Sequence, residues 1–457
     1  MFDPVQVIRD LVSQPSVSTD YSYEAGMQGT RDVLTKLFSG MGLEVEVVET
    51  KRHPVILARR GGPANWPHVV IYGHYDVQPP DPLDEWESPA FEPTLKGTRL
   101  YGRGVADNKG PMMAHIAAVG HLLEESPDLP LRITFLIEGE EEIGSPSLPQ
   151  FLESHADSLK GDFILLSDTL NPSDEQVAIT TGLRGILSFQ VNVKGPNRDV
   201  HSGMYGGAIY NPLQALTEIC ASLHHPDGRV NVPGFYDAVI TPEEWEKDEV
   251  AKLPVTDQQF IESIGVRKSY TANGRTAMEG IRYEPTLEIN GIGGGYQGPG
   301  DKTIIPSKCF AKITCRLVAN QDPKDTMEKV LATIRERCPE QVQLTIDEFH
   351  DGPCYSVVPP GRPNTPADQN PHLALAFRAC DRAVEEAFGR APLYTREGGS
   401  IPIIGELTKS LGMDCLMLGL GTAENNLHSP NESFDLAMLE KGIAVSKEIL
   451  TAVARGE

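Results

Sequence analysis

The order of apolar segments along the chain restricts its fold more than any other feature. Towards both termini, apolar runs typical of buried strands alternate with helical patterns. The strands are predicted at 68–74, 131–139, 161–168 and 414–422, and the helices at 4–14, 110–125, 371–389 and 433–454. Strands that are apolar along their whole length and alternate with helices are typical of a parallel sheet covered on both faces. The two ends of the chain therefore predict an α/β fold with a mostly parallel sheet.

The middle of the chain has a different pattern. Apolar and polar residues alternate along 186–195 and 308–318, and helical patterns occupy 212–224 and 326–338. Such alternation indicates antiparallel strands with one covered face. At 457 residues the chain is long enough for two domains. We expect residues 1–182 and 368–457 to form one discontinuous domain, and residues 183–367 to form an α+β domain inserted into it.

Composition excludes several classes of partner. The formal net charge of −24 argues against nucleic acid and against a membrane surface, because both are anionic. The seven cysteines are odd in number and none has C-x-x-C spacing, which argues against a disulfide framework and a cysteine zinc cluster. The N-terminal residues do not have the pattern of a signal peptide. These observations predict a cytoplasmic protein.

Polar side chains collect where the apolar strands end or just before a helix. They are His74, Asp76, Asp107, Glu141, Glu142, Asp168 and His428. In an open parallel sheet the carboxyl ends of the strands share one edge, so we expect these side chains to meet. Imidazole and carboxylate groups without cysteine indicate a hydrolytic zinc, manganese or cobalt site.

Each of these residues alone has an ordinary structural explanation. A histidine after a strand can belong to the core or a loop, an aspartate can cap a helix, and the run LIEGEEEIGS (136–145) can be a solvated loop. Their common placement favours a metal site instead. Two metal ions would supply the positive charge that adjacent glutamates need, with one glutamate as ligand and the other as proton acceptor. Asp76 lies two residues after His74 and can orient its imidazole.

The chain also resembles a known family, through segments in matching order over nearly its whole length. They are GHYDVQP (73–79), GRGVADNKGP (102–111), EEIGS (141–145), LLSD (165–168), GLRG (182–185), DVHSGMYGG (199–207), REGGSIP (396–402) and HSPNE (428–432). Together they resemble the M20 metallopeptidases, and within them the branch of cytosolic dipeptidases and carnosinases. The resemblance implies a zinc-peptidase-like catalytic domain that hydrolyses dipeptides.

The resemblance also assigns roles around a centre of two divalent metal ions per subunit, zinc first, with manganese or cobalt as alternatives. Asp107 is shared by both ions. His74 and Asp168 complete one ligand set, and Glu142 and His428 complete the other. Glu141 is the general base and Asp76 orients a ligand. Relatives often have an aspartate where this chain has Asn108, after a peptide bond that is often cis, and the sequence leaves the conformation of that bond open.

The inserted domain resembles the lid or dimerisation domain of the family, which implies a homodimer. His201 matches a histidine that enters the partner's active site and stabilises the tetrahedral intermediate. The residues matched to substrate binding are Arg316, Thr303, Gly399 and Ser400, with His350 as a weaker candidate.

Three other functions remain open from the sequence. An N-acyl-amino-acid deacylase of the same family would use the same chemistry. A non-catalytic binding protein would have an incomplete ligand set, whereas every expected ligand type is present here. A single structural metal would bind with one ion per subunit.

Overall fold

The structure is a computed structural model that describes residues 2–457, apart from the side chain of Pro402. Its helices are α1 Pro4–Val12, α2 Glu24–Gly40, α3 Gly110–Glu125, α4 Leu148–Leu159, α5 Ser202–Tyr205, α6 Pro212–Ser222, α7 Glu244–Ala251, α8 Asp257–Ser263, α9 Ala277–Tyr283, α10 Pro323–Arg337, α11 Pro371–Phe388, α12 Pro402–Leu411 and α13 Leu436–Arg455. In this part of the chain, no helix has both the length and the apolar character needed to cross a membrane.

The strands fall into one large sheet, one sheet of four strands and several short ribbons. They are β1 Glu44–Val48, β2 Val55–Arg60, β3 His68–His74, β4 Thr94–Lys96, β5 Arg99–Tyr101, β6 Arg132–Glu138, β7 Phe163–Leu166, β8 Leu170–Asn171, β9 Ala178–Leu183, β10 Gly185–Lys194, β11 Val200–His201, β12 Thr286–Gly294, β13 Ile304–Ile305, β14 Lys308–Leu317, β15 Gln343–Gly352, β16 Tyr355–Ser356, β17 Leu393–Arg396, β18 Cys415–Leu418, β19 Gly421–Thr422 and β20 Ser433–Asp435.

The large sheet has the order β1-β2-β6-β3-β7-β18-β9-β16, with β17 also paired to β9. Its centre is parallel, because β3 runs parallel to both β6 and β7, and β7 runs parallel to β18. The outer pairs β1–β2 and β9–β16 are antiparallel. The central strands β3 and β7 are buried along their whole length, as their unbroken apolar sequences predict. The predicted α/β fold with a mainly parallel central sheet is confirmed.

The four-stranded sheet has the order β12-β14-β10-β15 and is antiparallel throughout. Along β10 and β14 every second residue is buried, so one face packs against a core shared with α6 and α10. The antiparallel strands predicted from the alternating pattern at 186–195 and 308–318 are therefore confirmed. The chain returns to the large sheet at β16, which pairs with β9. The domain boundaries at 182/183 and 367/368 stay a prediction.

Two of the predicted elements near the C-terminus are divided in the structure. The predicted strand 414–422 is divided into β18, which pairs with β7 and β9, and β19, which pairs with β8. The predicted helix 433–454 begins only at Leu436, and the three residues before it form β20, which pairs with β5. Asp435 caps the helix by accepting the N–H of Ala437 (2.8 Å), which fixes where the helix starts.

Candidate metal centre

The parallel centre of the large sheet brings the candidate ligands to one edge. His74 is the last residue of β3, and Glu138, the last of β6, lies opposite it in the strand register. The segment with Glu142 follows β6, and Asp168 follows β7 on the other side of β3. Asp107 lies in the turn that leads into α3, and His428 lies in the loop between β19 and β20.

Two groups of possible metal ligands lie side by side and share one residue. His74, Asp107 and Asp168 form the first group, and Asp107, Glu142 and His428 form the second. The ligand atoms within each group lie within 4.8 Å of one another. Asp107 directs one carboxylate oxygen to each group. Its Oδ1 is 3.2 Å from His74 Nε2, and its Oδ2 is 3.0 Å from His428 Nε2.

The environment of His74 fits a metal ion. The ring is fully buried, and its Nδ1 bonds the backbone carbonyl of Asp76 (3.1 Å), so this nitrogen carries the proton. The opposite nitrogen, Nε2, is buried without a hydrogen-bond partner among residues 2–457, although it faces Asp107 and Asp168. Burial alone would lower the pKa of His74, but these carboxylates and Asp76 raise it well above its usual value. The site therefore favours a positive charge, either a proton or a metal ion, at this position.

The carboxylates differ in how their charge is balanced. Burial would raise the pKa of Asp107, but the hydrogen bond from His428 and the neighbouring His74 imidazole hold it well below its usual range. Burial, reinforced by the charge of Asp107, raises the pKa of Glu142 to about 7. Burial also raises the pKa of Glu141 well above its usual range, against the opposing effect of His74. Without a cation, this much negative charge in a partly buried cleft is unfavourable. Two divalent ions fit the residues that are present.

The structure separates the glutamates of the run LIEGEEEIGS into two kinds. Glu138 and Glu140 are buried, belong to neither ligand group, and accept hydrogen bonds from other parts of the chain. Their donors are the hydroxyl groups of Tyr72 (2.8 Å) and Ser145 (2.9 Å) for Glu138, and the backbone N–H groups of His53 (2.8 Å) and Ser147 (2.9 Å) for Glu140. Glu142 belongs to a ligand group, whereas Glu141 belongs to neither.

Several contacts around the ligands could not be identified from the sequence. Asp76 accepts the backbone N–H groups of Glu141 (3.2 Å) and Glu142 (3.1 Å), so it holds the glutamate pair as well as facing His74. The Gln78 side-chain amide donates to Glu142 Oε2 (2.9 Å). The only available signal was that Gln78 lies in the segment GHYDVQP, close to the ligand His74.

Asn108 has a role of its own. Its amide donates to Asp168 Oδ1 (2.9 Å) and to the Ser167 carbonyl (2.7 Å), so the residue that departs from the family pattern supports a candidate ligand. An ionised aspartate at this position could not donate to Asp168. The peptide bond between Asp107 and Asn108 is cis.

Three of the predicted substrate residues lie around one short loop. Arg316, near the end of β14, donates through Nη1 to Ser400 Oγ (2.7 Å). The backbone N–H of Arg184 bonds the carbonyl of Gly399 (3.0 Å), and its side-chain Nε donates to the carbonyl of Gly398 (2.8 Å). Arg184 thus holds the loop that carries Gly399 and Ser400. Arg316 itself is half-buried, and burial lowers its pKa.

The other three predicted substrate or catalytic residues lie apart from the ligand groups. His201 on β11 and Thr303 beside β13 are exposed neighbours, joined through the Ser202 N–H to the Thr303 carbonyl (3.0 Å). His350 is exposed on the edge strand β15. Within the described residues, no hydrogen bond or ion pair links these three side chains to either ligand group. Their proposed roles stay predictions.

The chain is similar in sequence and in structure to several known proteins. Residues 70–452 match peptidase family M20/M25/M40. The chain is 31% identical over 451 residues to the Cys-Gly metallodipeptidase dug1 of Schizosaccharomyces pombe, covering 94% of this chain and 91% of that protein. It is 33% identical over 384 residues to the Beta-Ala-His dipeptidase of Rattus norvegicus, covering 84% of this chain and 76% of that protein. The solved structure of the M20 family metallo-carboxypeptidase Sso-CP2 from Sulfolobus solfataricus is 28% identical, with a TM-score of 0.85 and complete coverage of both chains.

Proposed function

The chain belongs to peptidase family M20/M25/M40, and we propose that it hydrolyses dipeptides with two divalent metal ions as cofactors. The observation that carries this proposal is the pair of ligand groups that share Asp107, with one of its oxygens facing each group. The curated relatives described above are dipeptidases, which supports dipeptides as the substrate class. Zinc is the proposed metal, with manganese or cobalt as alternatives, because all the ligands are imidazoles and carboxylates.

The proposed roles of the residues follow from where they lie. His74 and Asp168 would hold one ion, Glu142 and His428 the other, with Asp107 between them. When bound, the ions would polarise the scissile carbonyl group and lower the pKa of the attacking water.

Glu141 borders both groups without belonging to either, and burial raises its pKa. A carboxylate with a raised pKa is suited to take a proton from the attacking water and deliver it to the leaving amine.

Arg316 is proposed to bind the substrate carboxylate. Its guanidinium is half-buried, and no ion pair within residues 2–457 neutralises it. Its planar group can form two parallel hydrogen bonds with a carboxylate. Ser400 Oγ accepts one N–H group of Arg316 (2.7 Å). The Ser400 hydroxyl and Gly399 would therefore lie beside the bound substrate carboxylate.

We also propose a homodimer in which His201 acts in the partner's site. The Nδ1 atom of His201 accepts the N–H of Gly203 (3.0 Å), so Nε2 carries the proton and can donate to an oxyanion. Within residues 2–457 the edge strand β12 pairs only with β14, and Ile292 on it is 51% exposed. An unpaired edge with exposed apolar side chains favours pairing with a second copy. Thr303, next to His201, would join it there.

Measurements of oligomeric state and activity together test the proposed homodimer and the role of His201. Ile292→Asp places a charge on the β12 edge, and sedimentation is expected to show monomers that have lost most of their activity but bind metal normally. An active monomer would contradict the role of His201 in the partner. The cytoplasmic location indicated by the cysteine content remains part of the proposal.

The substrate class is tested by hydrolysis of a small panel. Metal-stripped protein would receive zinc, manganese or cobalt, and then free dipeptides, a tripeptide, and N-acetyl and N-succinyl amino acids. The proposal expects metal-dependent cleavage of the dipeptides. Cleavage of the acylated amino acids alone would make the protein a deacylase, and no cleavage with any metal would support a binding protein. Binding of a single ion per subunit would contradict the two-metal centre.

A further inference from the structure

Glu432 is a fully buried carboxylate whose oxygens are both saturated by one short segment. Its Oε2 accepts Nη1 of Arg103 (2.8 Å) and the backbone N–H of Gly104 (2.8 Å). Its Oε1 accepts the backbone N–H groups of Ala106 (2.8 Å) and Asp107 (3.1 Å). Its own backbone carbonyl also accepts the N–H of Gly102 (3.0 Å).

The segment held in this way carries Asp107, the ligand shared by both groups. Glu432 itself stands four residues after His428, the outermost ligand of the second group. One side chain thus fastens the Asp107 turn to the His428 loop across more than 300 residues of sequence. The contact depends on local backbone shape. Gly104 has φ of +83°, and a Cβ atom there would lie 2.2 Å from Val77 Cγ1.

We propose that Glu432 is a positioning residue of the metal centre: it fixes Asp107 between the two ligand groups and links it to His428. This inference rests on the proposed two-metal function. A buried ion pair is weak support for stability, since well-packed apolar residues of similar volume often serve as well. Three backbone N–H groups converge on this one carboxylate, which indicates instead that the Asp107 turn must be placed accurately. The partner Arg103 is held from the other side by the Trp86 ring, 5.5 Å away.

The test is the metal affinity of Glu432→Gln, measured by competition with a chromogenic zinc chelator. Glutamine keeps the volume of glutamate, but its NH₂ group would face N–H donors whose hydrogen bonds the carboxylate oxygen accepted. Because Asp107 serves both groups, both ions are expected to bind about 10–100-fold more weakly. The rise in Tm that zinc produces should shrink in parallel. The wild-type stoichiometry is measured first, so that a failure of the two-metal proposal is recognised separately.

A matched control is Glu249→Gln. Glu249 is also buried and accepts the Arg362 guanidinium (3.3 Å) and the backbone N–H of Tyr394 (3.2 Å), but it touches no candidate ligand among the described residues. This variant is expected to lower the Tm of the metal-free protein while keeping wild-type zinc affinity and kcat.

A second variant keeps the proposal testable if Glu432→Gln does not fold. Glu432→Asp retains the charge but is one methylene shorter, so it cannot reach all four donors, and an intermediate loss of zinc affinity is expected. A folded Glu432→Gln or Glu432→Asp protein with wild-type affinity for both ions would overturn the proposal, even if its metal-free Tm were lower. That outcome would leave Glu432 with a role in folding only.

Discussion

Replacing Glu141 by glutamine should separate catalysis from metal binding. Glutamine has nearly the volume of glutamate but cannot accept a proton at neutral pH. Glu141 lies outside both ligand groups, and its backbone N–H would still bond Asp76. The fold of the glutamate pair and the affinity for metal should therefore be retained.

The size of the effect follows from the role. General-base catalysis contributes about 10²–10⁴-fold, so the barrier should rise by about 3–5 kcal/mol. The loss should appear in kcat, because the role proposed for Glu141 is proton transfer from the attacking water rather than substrate binding. Glu142→Gln is the matched contrast. It alters a carboxylate whose Oε2 lies 3.3 Å from His428 Nε2, so one of the two ions should be lost as well as activity.

The assay combines fixed-time hydrolysis of a dipeptide with measurement of the metal content of the dialysed protein. Glu141→Gln should retain two ions and lose at least 99% of kcat, which is the lower limit of about 10²-fold. Near-wild-type turnover would show that another group is the base. Loss of an ion from Glu141→Gln would show instead that the two adjacent glutamates have been assigned in the wrong order.

Three further predictions concern residues around the ligands. Asp76→Asn should weaken zinc binding, measured by calorimetry, about 10–100-fold. The reason is that one amide cannot replace a carboxylate that accepts two backbone N–H groups and faces His74. Unchanged zinc affinity would contradict this prediction. Arg316→Gln should raise KM by about 10–100-fold, because it removes a charged hydrogen bond worth about 1.5–3 kcal/mol. Its zinc affinity should be unaltered. Burial raises the pKa of Glu138 from 4.5 to about 7, so its neutral form stabilises the fold below pH 4.5, and this contribution is lost as pH rises to about 7. In urea unfolding of the metal-free protein, the free energy of unfolding of Glu138→Gln relative to the wild type should rise by about 3 kcal/mol over that pH range. Parallel pH profiles of the two proteins would refute the raised pKa of Glu138.

The elements that the sequence predicts well are those decided by local pattern. The strand at 68–74 and the helix at 110–125 have the same bounds in the structure, since an unbroken apolar run and a proline in the first helical turn are strong local signals. The strand-end rule placed the candidate ligands at one edge because the central strands are parallel, and that too follows from their apolar character. The short strand β20 was not predicted, because its formation depends on pairing with β5, more than 300 residues earlier.

The contacts that support the ligands are not visible in local pattern. Asp76 meets the backbone of Glu141 and Glu142 across 65 residues or more, and Gln78 meets Glu142 across 64. A backbone N–H is present whatever the side chain, so residue types at 141 and 142 carry no sign that a carboxylate will accept from them. Only the fold determines which backbone donors point into the site.

This difference gives a physical criterion for sorting the carboxylates of the centre. A carboxylate whose two oxygens both accept backbone N–H groups, as in Asp76 and Glu432, is fixed in place by the backbone. A carboxylate whose oxygens face imidazole nitrogens, as in Asp107, has its electron pairs directed at the positions where ions would sit. Backbone N–H groups compensate burial of the first kind, whereas burial of the second kind needs a positive charge, from a protonated imidazole or a bound cation. If the proposed two-metal centre is correct, replacing a fixed carboxylate should weaken metal binding without removing any ligand.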